Sequence, residues 1–277
     1  MLLSPEFKYP SMIKNFNWKF PLLLLIVVGG YYIYSTNFSN PRTPLTIVAD
    51  SVVFKRGCNN AESACLKLNF SFPAFPEKIS SKLSENIYSD YLLMIEDSTE
   101  VSQIEAFKNK LVDISYRYDS SFVDFSSSFP NASNIEWFVK INFEVVRNDG
   151  KILTLRYFYA DYMGGAHGMQ SYHYKNLDIR KSKKIELADI FENIDDFYKV
   201  AETAFNEKYQ SDRDSGAFWF ANNKYELPQE YGFGSKAFIL HYNAYEIASY
   251  AQGDITIEIP YSKLKGLLKS NWNYLNE

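Results

Sequence analysis

Apolar positions fall into three rhythms along the chain, and each change of rhythm marks a change of element. Alternation with aromatic and β-branched residues predicts strands over Thr46 to Phe54 and Leu66 to Phe72, the second ended by Phe72-Pro73-Ala74-Phe75-Pro76. Ile79, Leu83, Ile87, Tyr91 and Ile95 then recur every fourth position, the stripe of a helix with one buried face. A second helix is predicted from Ser102-Gln103-Ile104-Glu105, read as a capping box, with an apolar face of Ile104, Phe107, Leu111, Ile114, Tyr118, Phe122 and Phe125. Such stripes pack a core, so both helices are expected on one face of a sheet.

The two-residue period returns over Ile135 to Arg147 and Lys151 to Tyr162, joined by Asn148-Asp149-Gly150, whose residues accept the positive φ of a tight hairpin. A further strand is expected from Met169 to Asp178, followed by a basic turn, Ile179 to Lys184, read as solvated surface. A short apolar segment follows at Ile185 to Phe191, and helical spacing from Asp195 to Gln210 through Phe197, Val200, Ala204 and Phe205. Ala237 to Tyr242 and Asp254 to Ile259 read as strands, and Pro260 starts a short helix through Leu268. The sum is an α+β fold of antiparallel sheets packed with helices.

Composition agrees: 46% hydrophobic residues suffice for a core, and an aromatic share of 17% favours sheet surfaces over a helical bundle. The net charge of −4, without a basic stripe, argues against nucleic acid as a partner.

One apolar run stands apart. Pro21 to Tyr34 is uncharged, follows Lys8, Lys14 and Lys19, and ends in Tyr31, Tyr32 and Tyr34. Lysines on one side keep that side in the cytoplasm, and flanking aromatics suit the membrane interface. Residues 1–19 are therefore expected as a short cytoplasmic tail, 20–35 as a transmembrane signal anchor or a cleaved signal peptide, and 36–44 as a linker containing Pro41 and Pro44. The remainder is expected outside the cytoplasm, anchored in the membrane, or secreted if the segment is cleaved. Cys58 and Cys65, the only cysteines, lie between the first two strands. A disulfide across a hairpin fits an oxidising compartment, and the alternative is a pair of reduced thiols beside a loop.

The most specific stretch is Tyr159-Ala160-Asp161-Tyr162-Met163-Gly164-Gly165-Ala166-His167-Gly168. Gly164, Gly165 and Gly168 at a strand end call for a sharp, crowded turn. His167 is expected to donate to a carbonyl and fix that turn. A phosphate cradle would need a following lysine and helix, which the sequence lacks. A metal site would have to unite His167, His173 and His241, with Asp161 as a fourth group, and no metal or other cofactor is expected. Neither a His-Glu-x-x-His run nor a nucleophile elbow is present. Tyr242, Tyr245, Glu246 and Tyr250, with Tyr261, offer either a contact surface or ordinary core packing.

Gly164 to Gly168, the strand ending Asn176-Leu177-Asp178, the lysine-rich turn, Ile185 to Phe191, and Tyr245-Glu246-Ile247-Ala248-Ser249-Tyr250-Ala251-Gln252-Gly253 before Ile257 to Leu264 resemble a bacterial extracytoplasmic domain of unknown function. That domain stands at the C-terminus of the RsiV anti-sigma factor and beside the catalytic domain of PdaC-like peptidoglycan deacetylases. Ala49 to Gly165 is similar to the companion domain that precedes it. The resemblance implies residues 45–163 and 164–277 as two halves of one ectodomain, which in the anti-sigma factor binds lysozyme. Only about nineteen residues precede the apolar run, so a sigma-binding role is not expected. The deacetylases use a separate metal-dependent domain with an Asp-Asp pair and a His-x3-His motif, and this chain lacks that histidine spacing. The expectation is a non-catalytic module binding an envelope protein, lysozyme-like, or a peptidoglycan-type glycan. The alternative is a cell-envelope hydrolase using His167.

Overall fold

The computed structural model describes residues 43–58, 64–129 and 135–276. The tail and the apolar run expected at residues 1–35 lie outside them, as does the linker except for Thr43 and Pro44. Among the described residues no helix is long and apolar enough to cross a membrane.

The chain runs β1 (Val48–Arg56), β2 (Cys65–Ala74), α1 (Ser81–Leu93), α2 (Ile104–Ser128), β3 (Glu136–Asn148), β4 (Ile152–Tyr162), β5 (Met169–Asp178), β6 (Lys183–Lys184), α3 (Leu187–Ile190), α4 (Ile194–Asp214), β7 (Glu230–Phe233), β8 (Ala237–Tyr242) and β9 (Ile255–Pro260). The first six strands form one sheet in sequence order, and the last three form a second. The class is α+β, but the expectation of antiparallel sheets needs correction. β2 and β3 pair in parallel, Cys65 opposite Glu136 through Phe70 opposite Ile141. The reason is the connection: both helices lie between these strands, so the chain crosses the sheet face and re-enters at the same end.

Leu66, Leu68, Phe70 and Phe72 of β2 share one face by the two-residue period, and they meet Leu83, Ile87 and Tyr91 of α1 and Phe107, Leu111, Ile114 and Phe122 of α2 in one buried cluster. Phe107 stacks on Tyr88 at 4.6 Å and meets Phe72 edge-on at 5.0 Å. The expected capping box does not form: Gln103 is the residue before α2, and its side chain makes no cap bond. A side-chain cap forms instead at the start of α1, where the Ser80 hydroxyl accepts from the Leu83 amide at 3.1 Å. Val145 of β3 is exposed where the pairing with β4 slips between Val145 and Arg147.

The opposite face carries the second core. Ile152 of β4 joins Phe191, Phe197, Phe205, Phe233, Phe238, Tyr242 and Trp272. β7 lies so close to the large sheet that a Cβ on Gly232 would stand 2.5 Å from the Tyr174 ring. The Asn176 carboxamide joins the sheets, accepting from the Thr154 hydroxyl at 2.9 Å and donating to the Tyr231 carbonyl at 2.7 Å. The segment after Pro260 is a short 3-10 turn, Tyr261–Leu264, rather than a helix through Leu268. Lys183 and Lys184 of the basic turn are ion-paired with Asp189 and Asp90.

Candidate functional site

β5 is open along most of its outer edge, since β6 pairs only with Leu177 and Asp178. Two side chains take the place of a missing strand. Asn243 accepts from the Tyr172 amide at 2.7 Å and donates to the Tyr172 carbonyl at 3.0 Å, while Glu230 accepts from the Tyr174 amide at 2.6 Å. Covering an edge in this way suppresses pairing with another chain. It also ties the loop between β8 and β9 to the strand that leaves the glycine turn.

In that turn Gly164 and Gly165 have φ of 89° and 103°, in the region that glycine alone enters freely. Gly168 has a different reason for its identity: a Cβ there would collide with the Asp161 carbonyl. The Tyr162 hydroxyl closes the turn by donating to the Gly165 carbonyl at 3.0 Å, and His167 Nδ1 lies 3.1 Å from the Gly168 carbonyl.

The His167 ring lies over Tyr250, 5.8 Å between centroids at 23°, and Tyr250 in turn faces Tyr245 at 5.6 Å and 32°. Tyr245 and Tyr250 are 46% and 44% exposed, and the neighbouring Trp219 is 53% exposed. Trp219 is joined to the same loop by its amide to the Ile247 carbonyl at 2.9 Å and by its ring nitrogen to the Glu246 carbonyl at 3.3 Å. Tyr245 has φ of 70°, a costly conformation for a bulky residue. Three bonds hold it: the Glu246 carboxylate accepts from the Asn243 and Gln229 amides at 3.0 and 3.2 Å, and Asp254 accepts from the Ala244 amide at 3.1 Å.

The expected surface residues therefore divide. Tyr245 and Tyr250 lie together on the surface, beside the glycine turn. Tyr242 belongs to the core, not to that surface: it is fully buried, packs against Phe205 and Phe220, and donates to the Glu226 carbonyl at 2.6 Å. It lies on β8, where the two-residue period turns Phe238, Leu240 and Tyr242 inward together. Glu246 faces its own loop as a cap, and burial raises its carboxyl above the usual range despite the two amides. Tyr261 is likewise buried, donating to the Gly234 carbonyl at 3.0 Å.

The three histidines have separate partners. His173 is held between Ser171 and Glu230, and His241 is buried with its Nδ1 2.9 Å from the Thr256 hydroxyl. Burial also depresses the His241 imidazole below its usual value. Among the described residues no group of three or more His, Cys, Asp or Glu side chains is placed to hold a metal ion. Cys58 and Cys65 are joined as a disulfide across the β1–β2 hairpin. Sequence reasoning missed Trp219, Asn243 and Glu230. Trp219 lies outside any periodic segment, and β7, with four residues, is too short to show alternation.

Residues 59–170 match the family described as Deacetylase PdaC, and residues 178–262 match the Protein of unknown function (DUF3298) family. No curated protein matches the sequence. The fold is shared with solved DUF3298 family structures. One, from Bacteroides fragilis NCTC 9343, is 19% identical with a TM-score of 0.62, covering 84% of this chain and 98% of that one. Another, from Pseudomonas aeruginosa PAO1, is 20% identical with a TM-score of 0.58, covering 83% and 97% respectively.

Proposed function

We propose that this chain, a PdaC-like domain followed by a DUF3298 domain, is an extracytoplasmic module that works by binding an envelope protein or glycan through the exposed aromatic group formed by His167, Tyr250, Tyr245 and Trp219. Envelope-associated families and the Cys58–Cys65 disulfide support the compartment. The observation that carries the reading is Tyr245 itself. Its ring gains little from burial, yet its backbone is held at positive φ by dedicated caps. Strain maintained where it does not serve the core marks a residue positioned for contact. Tyrosine and tryptophan, with rigid apolar faces and polar tips, anchor interfaces. The alternative of hydrolysis through His167 would need a nucleophile against that ring, whose contacts are the Gly168 carbonyl and Tyr250.

The test is sedimentation of the full chain with insoluble peptidoglycan and, separately, its binding to immobilised lysozyme. Tyr245→Ala and Tyr250→Ala are each expected to weaken the interaction about thirtyfold, as loss of an anchor contributing about 2 kcal/mol would. Binding to neither ligand, or unchanged binding in both folded variants, would overturn the reading.

A further inference from the structure

Beside the aromatic group, on the helix-covered face of β5, Ser171 and His173 are neighbours on one side of the strand, the side shared with Lys175, whose Nζ lies 3.9 Å from Asp90 of α1. The Ser171 hydroxyl lies 2.8 Å from His173 Nε2, and His173 Nδ1 lies 3.0 Å from Glu230 Oε1. The other Glu230 oxygen accepts from the Tyr174 amide, which fixes the carboxylate. A carboxylate at Nδ1 holds the proton there and leaves Nε2 as an acceptor towards the serine. The order hydroxyl, imidazole, carboxylate thus has the polarity that activates a serine.

The setting is also that of a site. Ser171 and His173 line a groove of about 360 Å³ with Tyr118, Tyr159, Asp161, Met163 and Met169, which shares Ile95, Glu96, Tyr118 and Met163 with a second groove reaching Arg117 and Ser121. Glu230 stands behind the histidine and is the less exposed of the two, 17% against 29%. Tyr159 is the β4 residue directly opposite Ser171. Ser171 and His173 fall between the two matched family segments.

From this geometry we infer that Ser171, His173 and Glu230 form an acyl-transfer centre that hydrolyses carboxylic esters of small acyl groups. Ser171 Oγ bonds to the acyl carbon as its proton passes to His173 Nε2. The ester C–O bond then breaks, and that proton leaves with the alcohol. Water attacks the acyl-serine as its proton passes to His173 Nε2, the acyl C–Oγ bond breaks, and that proton moves on to Ser171 Oγ, releasing the acid and free serine. Glu230 is a positioning residue, setting the tautomer and ring orientation. The Tyr118 hydroxyl, in the groove, is the side-chain donor available to the oxyanion. A side-chain donor in place of a preset pair of backbone amides favours esters over the less reactive amides, and the flexible Met163 and Met169 suit a small apolar acyl group. This chemistry is independent of the binding surface.

The test uses the full chain with a fluorophosphonate probe and with p-nitrophenyl acetate. Phosphonylation would form the P–O bond at Ser171 as fluoride departs and the serine proton passes to His173, and peptide mass mapping should place the adduct on Ser171. Ser171→Ala should abolish the adduct and lower ester turnover at least a hundredfold at an unchanged melting temperature, and His173→Ala should do the same to turnover. Glu230→Gln should lower kcat with KM unchanged, and Glu230→Asp should restore part of it. No adduct on Ser171 in the folded parent, or ester turnover retained in Ser171→Ala, would overturn the assignment, whatever the stability of the Glu230 variants.

Discussion

The α-carbon of Gly168 lies against the carbonyl oxygen of Asp161, so that the chain returning from the glycine turn touches the strand it has just left. A Cβ there would collide with backbone, whereas one on Gly165 would meet nothing within 4 Å. The two glycines are therefore required for different reasons, one for space and one for φ.

Gly168→Ala is accordingly expected to be the most damaging alanine in the turn, costing about 2 kcal/mol or more, because backbone must move to admit it. Gly165→Ala should cost about 1–2 kcal/mol from its positive φ alone. Thermal or denaturant melting of the two variants checks the ranking, and equal stability would remove the steric account.

The disulfide predicts a second difference. Cys58 and Cys65 are separated by seven positions, so the bond closes a short loop and removes about 2.5 kcal/mol of chain entropy from the unfolded state. Cys58→Ser with Cys65→Ser should lower stability by about that much under non-reducing conditions. The parent treated with a reductant should melt like the double variant, and an unchanged parent on reduction would contradict the bond.

Asp97 predicts an acid dependence. Burial alone would raise its carboxyl, but the Thr99 hydroxyl and amide, Lys110 and Arg117 outweigh burial and hold it well below the usual aspartate range. A carboxylate depressed on folding stabilises the native state above its unfolded value, near 4, and that contribution is lost as pH falls towards its folded value. Asp97→Asn should therefore be less stable than the parent at neutral pH, and the gap should narrow between about pH 4 and pH 2. Melting temperatures of both proteins across this range measure it, and parallel curves would show that the ion pairs with Lys110 and Arg117 contribute nothing.

Local rhythm in the sequence was enough for the longer strands and the buried helix faces, because each answers to residues a few positions apart. Met169–Asp178 and Ala237–Tyr242 coincide with their alternating runs, and Leu83, Ile87 and Tyr91 are buried as the every-fourth spacing requires. What distant residues decide was not legible. The parallel pairing of β2 with β3 depends on where a connection of some sixty residues re-enters the sheet. Glu230 meets His173 only because β7 folds back over Tyr174, and Asn243 finds Tyr172 across 71 positions. The glycine turn and the exposed tyrosines were both recognisable, but their meeting through the rings of His167 and Tyr250 is a fact of tertiary structure.

Tyr242, Tyr245 and Tyr250 give the clearest separation of core from surface, because one residue type occurs in both settings within nine positions. Tyr242→Ala would leave a cavity among Phe205, Phe220 and Tyr225 and strand the Glu226 carbonyl, so a loss of about 3–5 kcal/mol is expected. Tyr242→Phe keeps the packing, removes only the hydroxyl and should cost about 1–2 kcal/mol. Tyr250→Ala should change stability by about 0.5 kcal/mol or less. Tyr245→Ala still bears a Cβ at positive φ and should also stay near the parent, whereas Tyr245→Gly relieves the strain and should be the more stable of the two by about 1 kcal/mol. Denaturant titration of the five variants reads all of these. A Tyr245→Gly variant no more stable than Tyr245→Ala would show that the loop carries no strain at this position, and would remove the observation on which the binding surface rests.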